Sequence, residues 1–361
     1  MLAACTACTR HDRQAPPTVI EETRGLDSRS LTSHFHARIR GRVTWIDGFR
    51  NLFVQDSDGG VLVEHPNIEK ELKLGQLVEV TGYVTRTQPY PSISGLKVTL
   101  LDASQLPPAP VRIEADDLKS LKWQYRYVQL EGVVRKTDAG RGDQADLDFF
   151  AFGRHIRVTV RDSSGHDYNR LIDASIQLKG VLRLYLDASG QPGSAEVSVQ
   201  STADLNILEF GKNPATIPRK TVATIRSEVP AIHRVRLRGT LARGGQDFIF
   251  TDSTGSIPLR ANLLHDLATG SLVDVVAFPS NENGAAILTE AQLVEDAAGA
   301  ASHPPILRTV REIHRLSNEQ LSRSYPAQIT GTVTYSDPSV RDTFVQDKTG
   351  GIFLFAPQAG T

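Results

Sequence analysis

The sequence has few of the residues that form disulfides, thiolate metal sites or large aromatic cores. Only two of its 361 residues are cysteines, Cys5 and Cys8, so the chain beyond Cys8 has none. This excludes a disulfide framework or a thiolate zinc site in the body of the protein. Aromatic residues make up 6% of the chain, and there is a single methionine. We therefore expect cores of valine, leucine and isoleucine, as β-rich domains usually have.

Neither sign of charge is in excess, since Lys plus Arg number 40 and Asp plus Glu number 41. Tight binding to nucleic acid requires several cations that neutralise phosphates, and binding to an anionic membrane surface requires a polybasic segment. The balance therefore disfavours nucleic acid as a partner and disfavours a polybasic membrane-surface protein. No stretch of about 18 apolar residues is present, so the sequence predicts no membrane-spanning helix.

Familiar catalytic motifs are absent from the sequence. There is no His-Glu-x-x-His, no Gly-x-Ser-x-Gly, no phosphate-binding Gly-x-x-x-x-Gly-Lys and no dinucleotide fingerprint. His34 and His36 could place two imidazoles on one strand face, but the sequence suggests no third ligand. We predict a protein without enzymatic activity, cofactor or metal.

One sequence motif recurs along the chain. Its copies are Leu52–Gly60 and Thr343–Gly351, with a weaker copy at Phe248–Gly255. Alternating strands that end in a glycine also recur, at Gly41, Gly132, Gly239 and Gly331. A spacing of about 100 residues indicates one small domain used about four times, each copy large enough to have its own core.

The first copy shows the order of the elements. Ala37–Ile46 alternates apolar and polar residues, as a half-buried strand does. Two further strands, a short helix and two last strands are predicted at Leu52–Gln55, Val61–Glu64, Ile68–Leu74, Leu77–Thr85 and Leu96–Leu101. This is the order of the OB-fold, a five-stranded Greek-key barrel. We predict an all-β protein of tandem OB-fold-like five-stranded barrels with short capping helices, in which the fourth barrel is incomplete.

Proline-rich linkers set the predicted domain boundaries. They give an N-terminal tail or tether (1–16), repeat 1 (17–106), a diverged repeat 2 (107–212), repeat 3 (213–302) and a truncated repeat 4 (303–361). The acidic stretch Asp138–Asp148 lacks the regular spacing of a calcium loop and predicts a flexible insertion in repeat 2. Repeat 4 lacks two of the five strands, which would leave unpaired edges. We therefore expect the sequence to be a piece of a longer protein or a truncated product.

The first five residues, Met-Leu-Ala-Ala-Cys, resemble the lipobox of a bacterial lipoprotein, whose cysteine carries lipid. No charged and apolar segment precedes them, so either the start lies too far downstream or the match is chance. Cys5 is therefore a candidate lipidation site, through which the chain would associate with a membrane.

The fourth repeat resembles a known family. Its motifs are Ile306–Ile313, Gly331–Tyr335, Phe344–Asp347 and Gly350–Phe353, which the first repeat matches at Gly41–Trp45, Phe53–Asp56 and Gly59–Gly60. They resemble the OB-like repeats in the extracytoplasmic sensor region of bacterial sensor histidine kinases. The resemblance implies a non-catalytic sensory, ligand-recognition or scaffold region outside the cytoplasm, tethered to a membrane. Kinase activity would lie in a C-terminal part that this sequence does not contain.

The resemblance leaves the ligand open. It would be a small molecule, a saccharide or a protein. Two alternatives compete with the sensor interpretation, an OB-fold nucleic-acid-binding protein and a surface lipoprotein or adhesin.

Aromatic residues at matching positions are candidate ligand contacts, because OB-folds stack rings of their ligands on these strands. With the neighbouring glutamines they are Trp45, Phe53, Gln55, Tyr335, Phe344 and Gln346. The alternative is packing, particularly for Trp45, which shares its strand face with Ile39 and Val43. Arg38 and Arg40 could hold phosphates or acidic sugars, or they could form a solvated outer face.

A last recurring set follows the second strand of each repeat. It comprises Asp56, Gly59, Gly60, Asp252, Gly255, Asp347, Gly350 and Gly351. Aspartate opens a tight reversal by accepting backbone hydrogen bonds, and glycine permits positive φ. We predict that these residues are structural.

Overall fold

The structure is a computed structural model. It describes residues 20, 35–47, 51–68, 71–85, 90–139, 144–161, 166–228, 231–244, 247–260, 270–282, 284–294, 307–316, 327–337 and 342–355. The predicted tail and Cys5 lie outside the described residues. Two compact units make up the chain, one of Met1–Leu130 with Lys179–Gln200 and the other of Glu131–Leu178 with Ser201–Thr361. The predicted boundaries of the four repeats stay a prediction.

The first repeat is a closed barrel. Its strands are β1 (His36–Ile46), β2 (Asn51–Gln55), β3 (Gly60–Glu64), β4 (Leu77–Thr85) and β5 (Ser92–Asp102). They pair in the order β1-β2-β3-β5-β4, with β3 and β5 parallel, which is the strand order of an OB-fold. Alternation in β1 buries Ile39 and Val43 in the barrel and leaves Arg38 and Arg40 outside.

The helix predicted at Ile68–Leu74 is wrong for the residues of that segment that the structure describes. Ile68 instead forms a bridge with Val98, and residues 71–74 are not helical. The side chain of Gln76 accepts a hydrogen bond from the backbone N–H of Lys73 at 2.9 Å. A side chain that binds a local N–H competes with the backbone carbonyl that a helix would use.

The second repeat forms a seven-stranded sheet. Its strands are β6 (Val111–Arg112), β7 (Tyr127–Ala139), β8 (Ala145–Ala151), β9 (Arg154–Val160), β10 (Ser175–Leu186), β11 (Pro192–Val199) and β12 (Leu205–Glu209). The order is β12-β10-β11-β9-β8-β7-β6, and β10 also pairs with β7. The inner five strands therefore follow the same order as the first barrel.

The flexible insertion predicted at Asp138–Asp148 is wrong at both ends. Asp138 lies in β7 and pairs with Asp146 of β8, so the described ends form a hairpin. Buried Leu147 and Phe149 alternate with polar residues and hold β8 in the sheet.

The third repeat is a closed barrel like the first. It comprises α1 (Val222–Glu228), β13 (Val235–Gly244), β14 (Asp247–Asp252), β15 (Gly255–Leu259), β16 (Leu272–Glu282) and β17 (Ala285–Leu293). Strand order β13-β14-β15-β17-β16 repeats that of the first barrel.

The fourth repeat, as far as the structure describes it, is one short helix and three strands. These are α2 (Val310–His314), β18 (Thr332–Asp337), β19 (Asp342–Asp347) and β20 (Gly350–Phe355). A capping box begins α2, because Thr309 and Glu312 bond each other's backbone N–H groups. The predicted fold class, tandem OB-like barrels with few short helices, is confirmed.

Short 3-10 helices connect the strands at Asp117–Lys119, Leu121–Trp123, Tyr168–Leu171, Thr202–Asp204 and Pro214–Thr216. None of the helices in the described ranges has the length and apolar character needed to cross a membrane.

Candidate functional site

The recurring aspartate has two structural contacts, one on each carboxylate oxygen. In the first repeat, Oδ1 of Asp56 accepts from the N–H groups of Asp58 and Gly59 at 2.9 and 2.8 Å. Its Oδ2 accepts from the backbone N–H of Ile20 at 3.0 Å. One side chain therefore closes the hairpin and also holds the chain that leads into the barrel.

The third and fourth repeats contain the same arrangement. Oδ2 of Asp252 accepts from Val222, the first residue of α1, at 2.8 Å. Oδ2 of Asp347 accepts from Val310, the first residue of α2, at 2.9 Å. Hydrogen bonds, that of the Thr349 hydroxyl foremost, lower the pKa of Asp347 to about 2. The sequence predicts these aspartates in turns, but no local pattern in it indicates their contact with the preceding helix.

The aromatic residues of the first repeat lie on the outer face of the barrel. Trp45 of β1 pairs with Phe53 of β2, which pairs with Leu62 of β3. The bulge at Thr44 turns Trp45 away from the Val43 side of β1. All three side chains are nonetheless buried, with 1% of Phe53 exposed.

The segment Gln124–Tyr127, at the start of the second repeat, covers this face. The ring of Tyr125 lies 5.1 Å from that of Phe53. The side-chain carbonyl of Gln55 accepts a hydrogen bond from the backbone N–H of Tyr127 at 2.6 Å. Tyr125 has a φ of +62° and donates its N–H to the carbonyl of Leu182. The face of the first repeat is therefore occupied by another part of the same unit.

The second glycine of the hairpin makes this cover possible. A Cβ on Gly60 would lie 1.9 Å from the carbonyl oxygen of Tyr125, far inside van der Waals contact. Only glycine lets the backbone of the covering segment come this close.

The fourth repeat has the same face, and none of the segments that the structure describes covers it. Tyr335, Phe344 and Phe353 pair in the same register as Trp45, Phe53 and Leu62. They are 54%, 43% and 42% exposed. Ring centroids lie 6.0 Å apart for Tyr335 and Phe344, and 5.1 Å apart for Phe344 and Phe353. Gln346 pairs with Gly351, as Gln55 pairs with Gly60. These five residues of repeat 4 are called the open face below.

A polar groove of about 620 Å³ adjoins the open face. Its walls include four threonines, two cations and the glutamine of the open face, namely Thr309, Thr330, Thr332, Thr334, Arg308, Lys348 and Gln346. Among the described residues that line the groove, Asp347 is the one carboxylate, and its oxygens are already bound to backbone N–H groups. The groove can therefore accept an anionic or hydroxylated ligand.

The second and third repeats lack this combination of aromatic rings, glutamine and second glycine. By strand register, Asp148 of repeat 2 and Ile249 of repeat 3 stand where Phe53 and Phe344 do. Asp148 is bound by His155 at 2.8 Å. In repeat 3, Thr251 and Ser256 replace the glutamine and the second glycine. Aromatic rings, glutamine and second glycine thus occur together in the first and fourth repeats.

The predicted arginine contacts are engaged in ion pairs. Arg38 and Arg40 both bind Glu79 of β4, at 3.0 and 2.8 Å. Hydrogen bonds from Arg40 and then Arg38 lower the pKa of Glu79. In the third repeat, Arg236 makes a two-point contact with Asp274, which occupies a similar place on β16. Carboxylates on the fourth strand therefore neutralise these cations.

A second cavity, of about 390 Å³, lies in the unit that contains the third repeat. Buried Asp173 accepts from the His233 ring at 3.1 Å and from the backbone N–H of Arg234 at 2.9 Å. Burial alone would raise the pKa of Asp173, but these bonds lower it, and the same contact raises the pKa of His233. No local pattern in the sequence predicts this cavity, because its walls come from separate repeats.

Arg135 is the largest fully buried side chain in the described ranges. Its guanidinium lies 3.6 Å from the centroid of the Phe150 ring and donates to the carbonyl oxygens of Ala231 and Pro279. Burial lowers the pKa of Arg135 to about 10. The arginine thus has a structural role that a single strand sequence does not reveal.

No protein-family model matches the sequence, and no curated protein matches it. Solved structures do match. A murine DNA-binding protein bound with double-stranded DNA is 10% identical over 46% of this chain and 99% of its own, with a TM-score of 0.22. The Ifi202 HINa domain in complex with double-stranded DNA is 10% identical over 47% and 96%, with a TM-score of 0.20. A multidomain protein with nucleic-acid-binding domains from Streptococcus pneumoniae is 13% identical over 75% of each chain, with a TM-score of 0.15.

The prediction that disfavoured nucleic acid as a partner is corrected by these neighbours, since two of them hold DNA. The physical reason is that net charge, averaged over a long chain, does not describe a local face. Similarity this low carries no ligand over to this chain. The comparisons give no support to an origin in sensor histidine kinases.

The predicted site residues therefore fall into two groups. Trp45, Phe53 and Gln55 are buried, which leaves them little exposed surface, whereas Tyr335, Phe344 and Gln346 are exposed. Ligand binding by either group stays a prediction. Across the described ranges, no group of three or more His, Cys, Asp or Glu could hold a metal ion.

Proposed function

We propose that this chain is a non-catalytic binding protein of OB-like barrels that holds single-stranded nucleic acid on its open face. The observation that carries the proposal is the row of exposed rings on three neighbouring strands, Tyr335, Phe344 and Phe353. OB-folds bind oligonucleotides on this side of the barrel. Aromatic side chains there stack on bases and add about 1–3 kcal/mol each.

The adjoining groove supplies the polar part of such a site. Arg308 and Lys348 can each neutralise a phosphate, and the threonine hydroxyls can contact sugar or phosphate oxygens. Two cations release few counterions, so the logarithm of affinity should fall with the logarithm of salt concentration with a slope of about −1.4. Stacking, and not charge, would then provide most of the affinity.

We also propose a sensory role and an extracytoplasmic, membrane-tethered location for this chain. A sensory role requires the same feature as nucleic-acid binding, namely a recognition surface without catalysis. A ligand bound on the open face could serve a sensor as well as a nucleic-acid-binding protein.

Titration of a labelled oligothymidine of about 16 nucleotides, the upper site size of one OB-fold, tests the proposal at about 0.15 M salt. Phe344→Ala should lower the affinity by about 5- to 150-fold, the loss of one stack. The matched control is Ile249→Ala, at the equivalent exposed position of the third repeat, which should leave the affinity unchanged.

Three results would contradict the proposal. They are no saturable binding by the unaltered chain, equal affinities of the unaltered and Phe344→Ala chains, and tighter binding of a duplex than of the single strand. The last would show that the rings do not stack on bases.

A further inference from the structure

We infer that the open face is also a docking site for a polypeptide segment with the chemistry of Gln124–Tyr127, supplied by a partner protein. Such a segment presents an aromatic residue, a close-approaching carbonyl and, two residues later, a free backbone N–H. The inference goes beyond the proposed function, and the two ligands would compete for the same rings.

The aromatic faces of the first and fourth repeats are equivalent. The pairs Trp45–Phe53 and Tyr335–Phe344 have the same register, and a bulge precedes the first member of each. The bulged residue is threonine in both repeats, and its hydroxyl donates to the carbonyl of the facing phenylalanine at 3.3 Å in both. The faces therefore agree in backbone detail as well as in side chains.

The glutamine and the second glycine contact the covering segment in repeat 1 and have no such contact with the described residues in repeat 4. In repeat 1, Gln55 binds the backbone of the covering segment, and Gly60 admits its carbonyl group. In repeat 4, Gln346 is exposed and a Cβ on Gly351 would meet nothing nearer than 4.0 Å. Within the described part of the chain, nothing covers this pair as Gln124–Tyr127 covers the other.

In repeat 3, the position equivalent to Phe53 is an exposed isoleucine, Ile249, and the set is absent. Repeat 3 has Ile249, Thr251 and Ser256 in place of the aromatic ring, the glutamine and the second glycine. A turn or strand requirement would apply to all the barrels alike, whereas a requirement to dock one kind of segment applies only to the repeats that receive that kind. The joint recurrence therefore marks docking.

The covering segment of repeat 1 defines the chemistry of the partner. Tyr125 packs on Phe53 with a positive φ, and Arg126 donates to the carbonyl of Ser57 at 2.8 Å. The main-chain contacts depend on backbone shape, and the aromatic ring packs against the ring of the phenylalanine on the second strand. A second copy of this chain is a poor donor, because its own Gln124 and Tyr125 are buried.

The probe is a synthetic peptide with the sequence of residues 119–130, blocked at both ends and carrying a fluorophore, titrated into the full chain. Saturable binding is expected, and Gly351→Val should weaken it at least tenfold, because the new side chain occupies the path of the peptide carbonyl. Ser256→Val, at the equivalent position of repeat 3, is the matched control and should change nothing. A peptide with Tyr125→Ala should bind at least tenfold more weakly.

A free peptide loses conformational entropy on docking, so a tethered form provides the second measurement. The same sequence is appended after Thr361 through a flexible glycine-serine linker, which gives an effective concentration of the order of millimolar. Docking should slow chymotryptic cleavage of the appended segment at least tenfold relative to its Gly351→Val counterpart. Equal cleavage of the two would overturn the inference.

The two proposals fail separately. Phe344→Ala should weaken both ligands, whereas Gly351→Val should block the peptide and spare stacking of bases. Nucleic-acid binding without peptide docking would contradict the docking inference and leave the proposed function standing. Peptide docking without nucleic-acid binding would contradict the proposed function and leave the docking inference standing.

Discussion

Phe53 and Phe344 stand at the same register position on the second strand of their repeats, yet 1% of one and 43% of the other is exposed. Their neighbours Gln55 and Gln346, and Gly60 and Gly351, also match. The difference comes from a segment that follows the first barrel and packs on it. The same residue types at a barrel face are thus buried in one repeat and exposed in another, and the rest of the chain determines which.

Truncating the matched phenylalanines should give the largest contrast. Phe53→Ala removes a buried ring and should lower the free energy of unfolding by about 3–5 kcal/mol. Phe344→Ala should lower it by less than about 1 kcal/mol, because much of the ring is already in water. Both tryptophans, Trp45 and Trp123, belong to the first unit, so their fluorescence during urea unfolding measures the first change.

Hydrogen exchange of the fourth-repeat strands measures the second change. Similar losses of stability in the two variants would show that the open face is buried in solution, contrary to the structure.

Adding a side chain at the second glycine should give a smaller contrast. Gly60→Val forces the Tyr125 backbone away and should destabilise the first unit by about 1–3 kcal/mol, as overpacking does. Gly351→Val meets open space and should alter stability by less than about 0.5 kcal/mol. Urea midpoints followed by tryptophan fluorescence, and exchange in β19 and β20, give the two values. A Gly60→Val chain as stable as the unaltered one would mean that the covering segment does not lie on this face.

The smallest effect is on the stability of the fourth repeat at acidic pH. The pKa of Asp347 is about 2 in the fold against an ordinary value of 3.8. Because the folded pKa is the lower one, the carboxylate stabilises the fourth repeat above about pH 4, and this contribution disappears as pH falls through about 2. Asp347→Asn should remove that part of the pH dependence, measured by exchange in β19 and β20.

Thr349→Val is the companion variant, since it removes the hydroxyl that donates to Asp347 at 2.6 Å. The pKa of Asp347 should then rise toward 3.8. An unchanged acid transition in both variants would show that this aspartate does not link the hairpin to α2.

Local patterns predicted much of the fold. Alternation in residues 37–46 predicted β1, and aspartate with glycine predicted the hairpins, because strand and turn preferences act over a few residues. The helix at Ile68–Leu74 was wrong because the Gln76 side chain binds the Lys73 N–H that the helix needs. The charge argument against nucleic acid was wrong because it used the sum over the chain and not the surface of one barrel.

The sequence by itself determined the order of the strands along the chain, the repeating hairpins and the presence of the aromatic residues in the first and fourth repeats. Each of these depends on neighbours along the chain. Only the tertiary structure decided which set is covered. Gln55 binds the backbone of Tyr127, 72 residues away, and Asp56 holds Ile20, 36 residues away. Contacts over such separations depend on how whole elements pack, and no local pattern encodes them.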